Sequence, residues 1–439
     1  MAITFRNLPK GSAIGSGSYV FRHYGEETVE IPDLCFTAEE ARSTVAMAVN
    51  GTPTKGQAFE YSTDGTNWSV FTPGTTTITL ANVGNKVYFR GDNTTVSESN
   101  SIYYKFVMSG KIAASGNIMS LLDKTCKSRT ISNKFCYYRM FYGCTSLTTA
   151  PSLPATTLAN HCYYNIFYGC TSLTTAPSLP ATTLAMSCYY SMFQNCKSLT
   201  TAPSLPATTL ADYCYGSMFR GCRNLTTAPA LPATTLANRC YLYMFNGCTS
   251  LTTAPALLAT TLATYCYNYM FRGCTSLTAA PSLPATTLAT YCYSSMFYGC
   301  TSLTTAPALP ATTLATYCYY NMFRDCTSLT TAPALPATTL ADDCYENMFN
   351  GCTSLTTAPA LPATTLAYYC YAYMFNNCTS LQVYSSSGTG HTKAWRIPTS
   401  GTASSYTSQN KMFYNCPGSY KSTSSVRLNT TFYTQNTPV

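Results

Sequence analysis

The chain is 439 residues long, enough on ordinary sizes for roughly two to four domains. Charged residues make up only 9% of it, far below the share in a typical soluble domain, and the polarity comes instead from Ser, Thr, Asn and 37 Tyr. The net charge of +9 is carried by Lys and Arg scattered singly, without the clustered basic stripe that a nucleic-acid partner needs, and no window holds enough consecutive apolar residues to span a membrane.

The opening MAITFRNLPKGSAIG lacks the apolar run of a secretory signal, so export through such a leader is not expected. Thr37-Ala38-Glu39-Glu40 reads as a capping box, which predicts a helix running through Met47. Residues 1–50 are therefore expected as a docking segment, the place for attachment to a larger assembly. From residue 51 to 115 the pattern alternates apolar and polar residues, as in Phe59-Glu60-Tyr61 and Lys86-Val87-Tyr88-Phe89, with a tight turn at Asp64-Gly65. A small β-sandwich-like domain is the expectation. STDGTNW, from Ser62 to Trp68, is similar to the hairpin of Asp-box proteins but lacks their full spacing, and an ordinary hairpin with a packed Trp accounts for it.

Between residues 116 and 381 a single period takes over. Ten cysteines, Cys136 to Cys370, recur every 26 residues without exception, and a second series, Cys144 to Cys378, follows each by eight. Each unit reads CY-xx-MF-xx-C-TSLTTAP-ALPATTLA-xx, with Ile166 the one exception at the methionine. Cysteine, methionine and cysteine four residues apart lie on one helical face, so Cys292 to Cys300 is predicted to form a short one-sided helical turn. The following TSLTTAP, ending at Pro307, suits a short extended strand, and Leu309 and Leu314 bracket a second extended or turn-like piece. One unit cannot bury this apolar set alone, whereas stacked copies bury one another's faces, which makes a solenoid of ten units. Gly116 to Cys136 is expected to begin the stack. In residues 382–439, Met412-Phe413-Tyr414-Asn415-Cys416 is a relic of the motif after a Ser/Thr/Gly-rich insertion containing Trp395, which predicts a cap and tail.

The MFxxCxxL motif followed by a proline-ended strand resembles the BspA-type leucine-rich repeats. The resemblance covers Cys136 to Leu381 and implies a leucine-rich-repeat solenoid of short strands and short helical turns. The LPATTLA insert, broken only at Leu258, makes this unit longer than the usual one. Such repeats occur in surface adhesins of gut and oral bacteria and, in related form, in proteins of their phages. The resemblance therefore implies adhesion at a cell surface or on a virion.

Candidate chemistry is sparse. Stacked cysteines point their side chains in parallel, which opposes disulfides and favours buried free thiols. Only His23, His161 and His391 are available beside the cysteines, and a pair eight residues apart is not a zinc spacing, so neither metal nor cofactor is expected. No histidine or paired carboxylate recurs in a catalytic arrangement, and no enzyme activity is expected. The tyrosine after every first cysteine forms a row that either packs as a stacked aromatic ladder or stacks on sugar rings. Adjacent threonines on a strand face opposite ways, which opposes a single flat threonine array.

Variation among the units carries the functional expectation. LTTAP and LPATTLA hardly change, while the two positions before the first cysteine, the second and third after it, and those after phenylalanine do. Either exposed positions drift freely or they form a paratope-like face, since Tyr, Asn and Arg are effective contact residues. On the second reading His161, Tyr213, Arg220, Arg239, Arg272, Tyr298 and Arg324 are the candidate binding residues. The expected partner is a host-surface glycan or protein, with other virion proteins docking on the N-terminal region, in a phage fibre or decoration protein; a bacterial cell-surface adhesin is the alternative.

Overall fold

The computed structural model describes residues 33–54, 56–363, 365–381 and 410–416. Strands β1 (Leu34–Ala38), β2 (Ser43–Asn50), β3 (Phe59–Ser62), β4 (Ser69–Phe71), β5 (Thr77–Leu80), β6 (Lys86–Gly91), β7 (Tyr103–Ser109), β8 (Ile112–Ser115) and β9 (Leu147–Thr149) form two sheets. One has the order β4-β3-β6-β1-β8-β9 and the other β5-β2-β7. Every pairing within them is antiparallel except β8 with β9. The two sheets meet through Phe106 of β7, which lies edge-on to Phe36 of β1 at 4.8 Å and to Phe89 of β6 at 5.2 Å.

The helix expected from Thr37 through Met47 is absent. Residues 34–50 are β1 and β2, and they pair with strands from residues 77–115. Buried Ser43, Val45 and Met47 alternate with half-buried neighbours, the period of a strand. Glu39 and Glu40 sit in the turn between β1 and β2: the Ser43 hydroxyl donates to the Glu40 backbone carbonyl, and Arg42 takes a left-handed φ of 60°. In the β3–β4 connection, the Asp64 carboxylate accepts from the Thr66 and Asn67 amides at 2.8 Å, which holds it below the usual carboxylate range. Trp68 lies beneath the Arg90 guanidinium at 3.8 Å, an ordinary packed hairpin.

In the repeats, the expected helical turns are also absent; among the described residues no α-helix occurs. Cys188 to Cys196 shows what replaces them. The amides of Cys188, Tyr190, Met192, Gln194 and Cys196 each donate to the carbonyl three residues back, while those of Ser187, Tyr189, Ser191, Phe193 and Asn195 donate to carbonyls of the next unit. Every fourth residue, Ser187, Ser191 and Asn195, has φ between 51° and 62°, so each turn is stopped before it can propagate as a helix. The result is a ribbon of consecutive turns in which half the donors close locally and half build the stack. Glycine serves the last left-handed position in seven units, for example Gly247 at φ 73°; Asn195, Asp325 and Asn377 serve it in the others, the side chains that best tolerate that region.

The ribbon turns paired residues inward. Cys292, Tyr293, Met296, Phe297, Cys300, Leu303, Leu309 and Ala311 are buried, as are their equivalents along the stack. Phenylalanines stack from Phe106 through Phe141 and on to Phe413 with centroids 5.3–5.7 Å apart. The tyrosines from Tyr137 to Tyr371 stack at 5.6–6.0 Å and are at most 2% exposed. This excludes the sugar-stacking reading of that row, because no ring face or edge reaches solvent.

Burial of these phenols has a measurable consequence. The hydroxyls of Tyr163, Tyr241, Tyr293 and Tyr319 are buried with no hydrogen-bond partner. An unpaired buried hydroxyl costs about 1–3 kcal/mol. Tyr241→Phe and Tyr293→Phe are therefore expected to leave the melting temperature unchanged or raise it, and a fall of several degrees in calorimetry would show that the hydroxyls are paired.

The second cysteine series has a specific role. Each thiol donates to the phenylalanine carbonyl of the preceding unit at 3.0–3.2 Å, as Cys196 Sγ does to Phe167 O. A residue of this size with a donor at its tip fits the slot; an apolar one of equal volume would leave the carbonyl with one partner fewer. All 23 cysteines are buried and free of disulfides.

Both ends of the stack reuse this geometry. Phe106 of β7 occupies the place of a unit's phenylalanine: its amide donates to Met140 O, its carbonyl accepts from Cys144 Sγ at 3.1 Å, and its ring stacks on Phe141 at 5.4 Å. Ser97 likewise donates to Cys136 O. The stacking register thus begins in the sheets rather than at Gly116, and one apolar core runs from β1 into the units. At the other end Phe375 donates to Met412 O, and Cys416 Sγ donates to Phe375 O at 3.0 Å, so the relic motif forms one more rung. Trp395 and the remainder of the expected cap and tail lie outside the described residues.

Candidate binding face

The invariant side of the solenoid is built by threonines. Thr149, Thr175, Thr201, Thr227 and Thr253 are linked by successive parallel bridges, and Thr305, Thr331 and Thr357 continue the row. The first threonine of the pair donates its hydroxyl to the preceding unit, as Thr252 Oγ1 does to Thr226 O at 3.3 Å. Both threonines of most pairs are exposed, Thr252 and Thr253 among them, contrary to the opposed faces expected of a strand. The reason is that only isolated bridges form here, so the pleat of a continuous sheet is not imposed.

The variable positions converge elsewhere. Counting the first cysteine of a unit as zero, they are −2, −1, +2, +3 and those after phenylalanine, and side chains join −1, +2, +3 and +6 into one surface. Arg139 at +3 lies over Tyr138 at +2 and Tyr142 at +6, at 5.1 and 4.9 Å. Tyr317 at −1 is edge-on to Tyr320 at +2 at 5.5 Å. The left-handed backbone at −1 and +3 separates these side chains from the inward-facing Cys-Tyr and Met-Phe pairs.

Six of the seven residues singled out in the sequence lie close together. Arg239 stacks between Tyr213 and Tyr265, at 5.2 and 4.6 Å. The Arg272 and Arg324 guanidiniums, one unit before and one unit after, both lie over Tyr298, at 4.7 and 5.5 Å. Arg220 lies over Tyr243 at 5.2 Å. His161 sits apart, stacked on Phe135 at 4.7 Å, where burial and Lys134 hold its imidazole below the ordinary value and hence neutral at pH 7. Arg220 and Arg272 are exposed, but His161, Tyr213, Arg239, Tyr298 and Arg324 are half-buried. Tyr213, Arg239, Arg272 and Arg324 were expected to be exposed; stacking of Arg on Tyr explains why three of them are not.

Residues not singled out complete the face. Tyr265, Tyr291 and Tyr317 stack at 4.6 and 4.4 Å, and Tyr243 and Tyr269 at 4.8 Å. Their columns were recognisable as variable, but a tyrosine repeated through three units reads as invariant when only neighbours are compared. Beyond them Asp343 lies near Tyr317 and Glu346 and adds to the desolvation that raises the pKa of both. Desolvation, then the neighbouring Asp343, raises the Glu346 carboxyl well above its usual range. No group of His, Cys, Asp or Glu among the described residues is placed to hold a metal ion, and none of their helices is long and apolar enough to cross a membrane.

Comparison with known families agrees with the ladder geometry. The BspA type leucine-rich repeat region matches in six copies, in overlapping stretches 127–253, 189–330 and 238–382, more than half of the chain. The chain belongs to the BspA-type leucine-rich repeat family. Such leucine-rich repeat regions generally mediate contacts between proteins, are generally non-enzymatic, and are typically found at cell surfaces or outside cells. No curated protein and no solved structure matches the chain. In this leucine-rich repeat the −1, +2, +3 and +6 columns of the turn ribbon, rather than the threonine rows, carry residues that differ from unit to unit.

Proposed function

We propose that the protein is an adhesive repeat protein in which an invariant stack of ten units displays the −1, +2, +3 and +6 columns to a partner on a host surface. In its finer form the reading is a phage fibre or decoration protein, the N-terminal region docking on the particle. The observation that carries the binding reading is the concentration of variation in these columns of the turn ribbon, while the threonine rows stay uniform. Uniform small side chains suit stacking; discrimination needs side chains that differ along the rod. Family membership supports the alternative location, a bacterial cell surface. Copurification with virions, against recovery in a surface-protein fraction of cells, separates the two.

Replacing Tyr213, Arg239, Arg272 and Arg324 together by Ala is expected to weaken binding to host cells at least tenfold. It also removes cation–π contacts worth about 0.5–1 kcal/mol each at exposed sites, so the melting temperature falls by a few degrees. Equal cell binding by the variant and the parent, with loss when the exposed threonines are altered, would move the site to the other face.

A further inference from the structure

From Tyr213 to Arg324 the sequence contains no Asp, Glu or Lys but five Arg: Arg220, Arg223, Arg239, Arg272 and Arg324. Four of them lie on the variable face. Arg220, Arg239 and Arg272 form no ion pair among the described residues, while Arg324 has only Asp325 at 3.8 Å and leaves its Nε without a hydrogen-bond partner. Acidic residues flank this stretch, Asp212 on one side and Asp325, Asp342, Asp343 and Glu346 on the other. We propose that the face between Tyr213 and Arg324 binds a linear acidic polysaccharide that carries one carboxylate or sulfate per disaccharide. This rests on the adhesive reading and names its ligand class.

Two features select that chemistry. The first is spacing. Arg220, Arg272 and Arg324 recur at position +6 of every second unit, and two units rise by about 10 Å at the usual separation of paired strands. An extended polysaccharide with one charge per disaccharide presents its anions at a comparable interval. A nucleic-acid strand presents a phosphate about every 3.4 Å, too densely for a row this sparse.

The second feature is which surfaces of the rings remain open. Tyr265, Tyr291 and Tyr317 cover one another's faces, Arg239 covers the outer face of Tyr265, and Arg272 and Arg324 flank Tyr298. Bases bind aromatic side chains through open faces, which this arrangement does not offer. It offers edges: phenol hydroxyls beside guanidinium N–H groups, a row of donors and acceptors suited to sugar hydroxyls with an anion at intervals. Stacking on tyrosine holds each guanidinium's plane, so little freedom is lost when its fork meets a carboxylate.

The test uses the full chain and titrates it with hyaluronan oligosaccharides long enough to cover five units, neutral dextran of equal length, poly-glutamate and single-stranded DNA. Hyaluronan is expected to bind and dextran not to. Arg220→Gln, Arg272→Gln and Arg324→Gln are each expected to weaken hyaluronan binding by about tenfold, the value of one charge-assisted hydrogen bond. Arg223→Gln, the same charge change outside the four columns, is expected to leave it unchanged. Equal weakening by Arg223→Gln would reduce the effect to net charge and overturn the proposal. Tighter binding of poly-glutamate or of DNA than of hyaluronan would assign an acidic protein or a nucleic acid and overturn the ligand class. If no acidic polysaccharide binds while the arginine variants still lose host-cell binding, the polysaccharide is wrong and the adhesive face stands. If cell binding too is unaffected, the face itself is wrong.

Discussion

Raising the pH from neutral is expected to unfold the solenoid cooperatively between about pH 9 and 10.5, because its thiols can ionise only by leaving the core. Burial is the largest cause throughout: it pushes Cys136 up to about 11 and Cys222, Cys292 and Cys300 up to about 12, against 9.0 for a free thiol. These folded-state values are raised, so the stability they contribute is complete below the unfolded pKa and is lost as pH rises toward the folded one. With an unfolded pKa near 9, each thiol favours the unfolded chain by about 0.4 kcal/mol at pH 9 and about 1.4 kcal/mol at pH 10. The two ladders hold twenty such thiols, ten per series. Summed, the effect is roughly 8 kcal/mol at pH 9 and over 25 at pH 10, against a typical total stability of about 5–15 kcal/mol. The buried tyrosines from Tyr137 to Tyr371 act in the same direction at higher pH. Circular dichroism and thiolate absorbance should change together, and thiol reagents should label no ladder cysteine below the transition and all of them above it. Thiolate absorbance that rises while the dichroism stays native would show that the thiols ionise in place.

Removing residues 1–115 is expected to destroy the cooperative melt of the repeats rather than leave it intact. The first unit stacks on the sheets as later units stack on one another: Phe141 meets Phe106 and Phe36, and Leu147 pairs with Ile112. The Ile112, Phe106 and Ser97 amides bond to Ser146, Met140 and Cys136 carbonyls. Exposing Phe141, Met140 and Leu147 costs about 1.5–3 kcal/mol per side chain, roughly 4.5–9 kcal/mol in all, and leaves an open apolar end prone to association. Phe106→Ala in the full chain asks the same question without a truncation. A cavity at that rung is expected to cost about 3–5 kcal/mol, read as a loss of about ten degrees or more in the melt. A soluble truncated chain melting at the parent's temperature, or an unchanged melt for Phe106→Ala, would show that the repeats fold independently of the sheets.

The period, the family and the inward residues could be read from the sequence, because a 26-residue repeat with Cys, Met, Phe, Cys and Leu at fixed places has one economical solution, stacking. The variable columns were legible for the same reason, since a fixed period places equivalent residues side by side. The turn ribbon was not. Cys292, Met296 and Cys300 are four residues apart, a spacing that fits a helix of 3.6 residues per turn and a four-residue turn repeat almost equally. The difference lies in whether each amide finds its acceptor in its own unit or in the next, as Tyr293 does in Cys318, and spacing along one chain does not encode that. Long-range pairing also decided which tyrosines are buried, that Ser43 to Asn50 is a strand rather than a helix, and that arginines 52 residues apart in sequence, Arg272 and Arg324, share one ring. Local pattern fixes what must be hidden from water; which neighbour hides it depends on contacts between units, and those exist only once the chain has stacked.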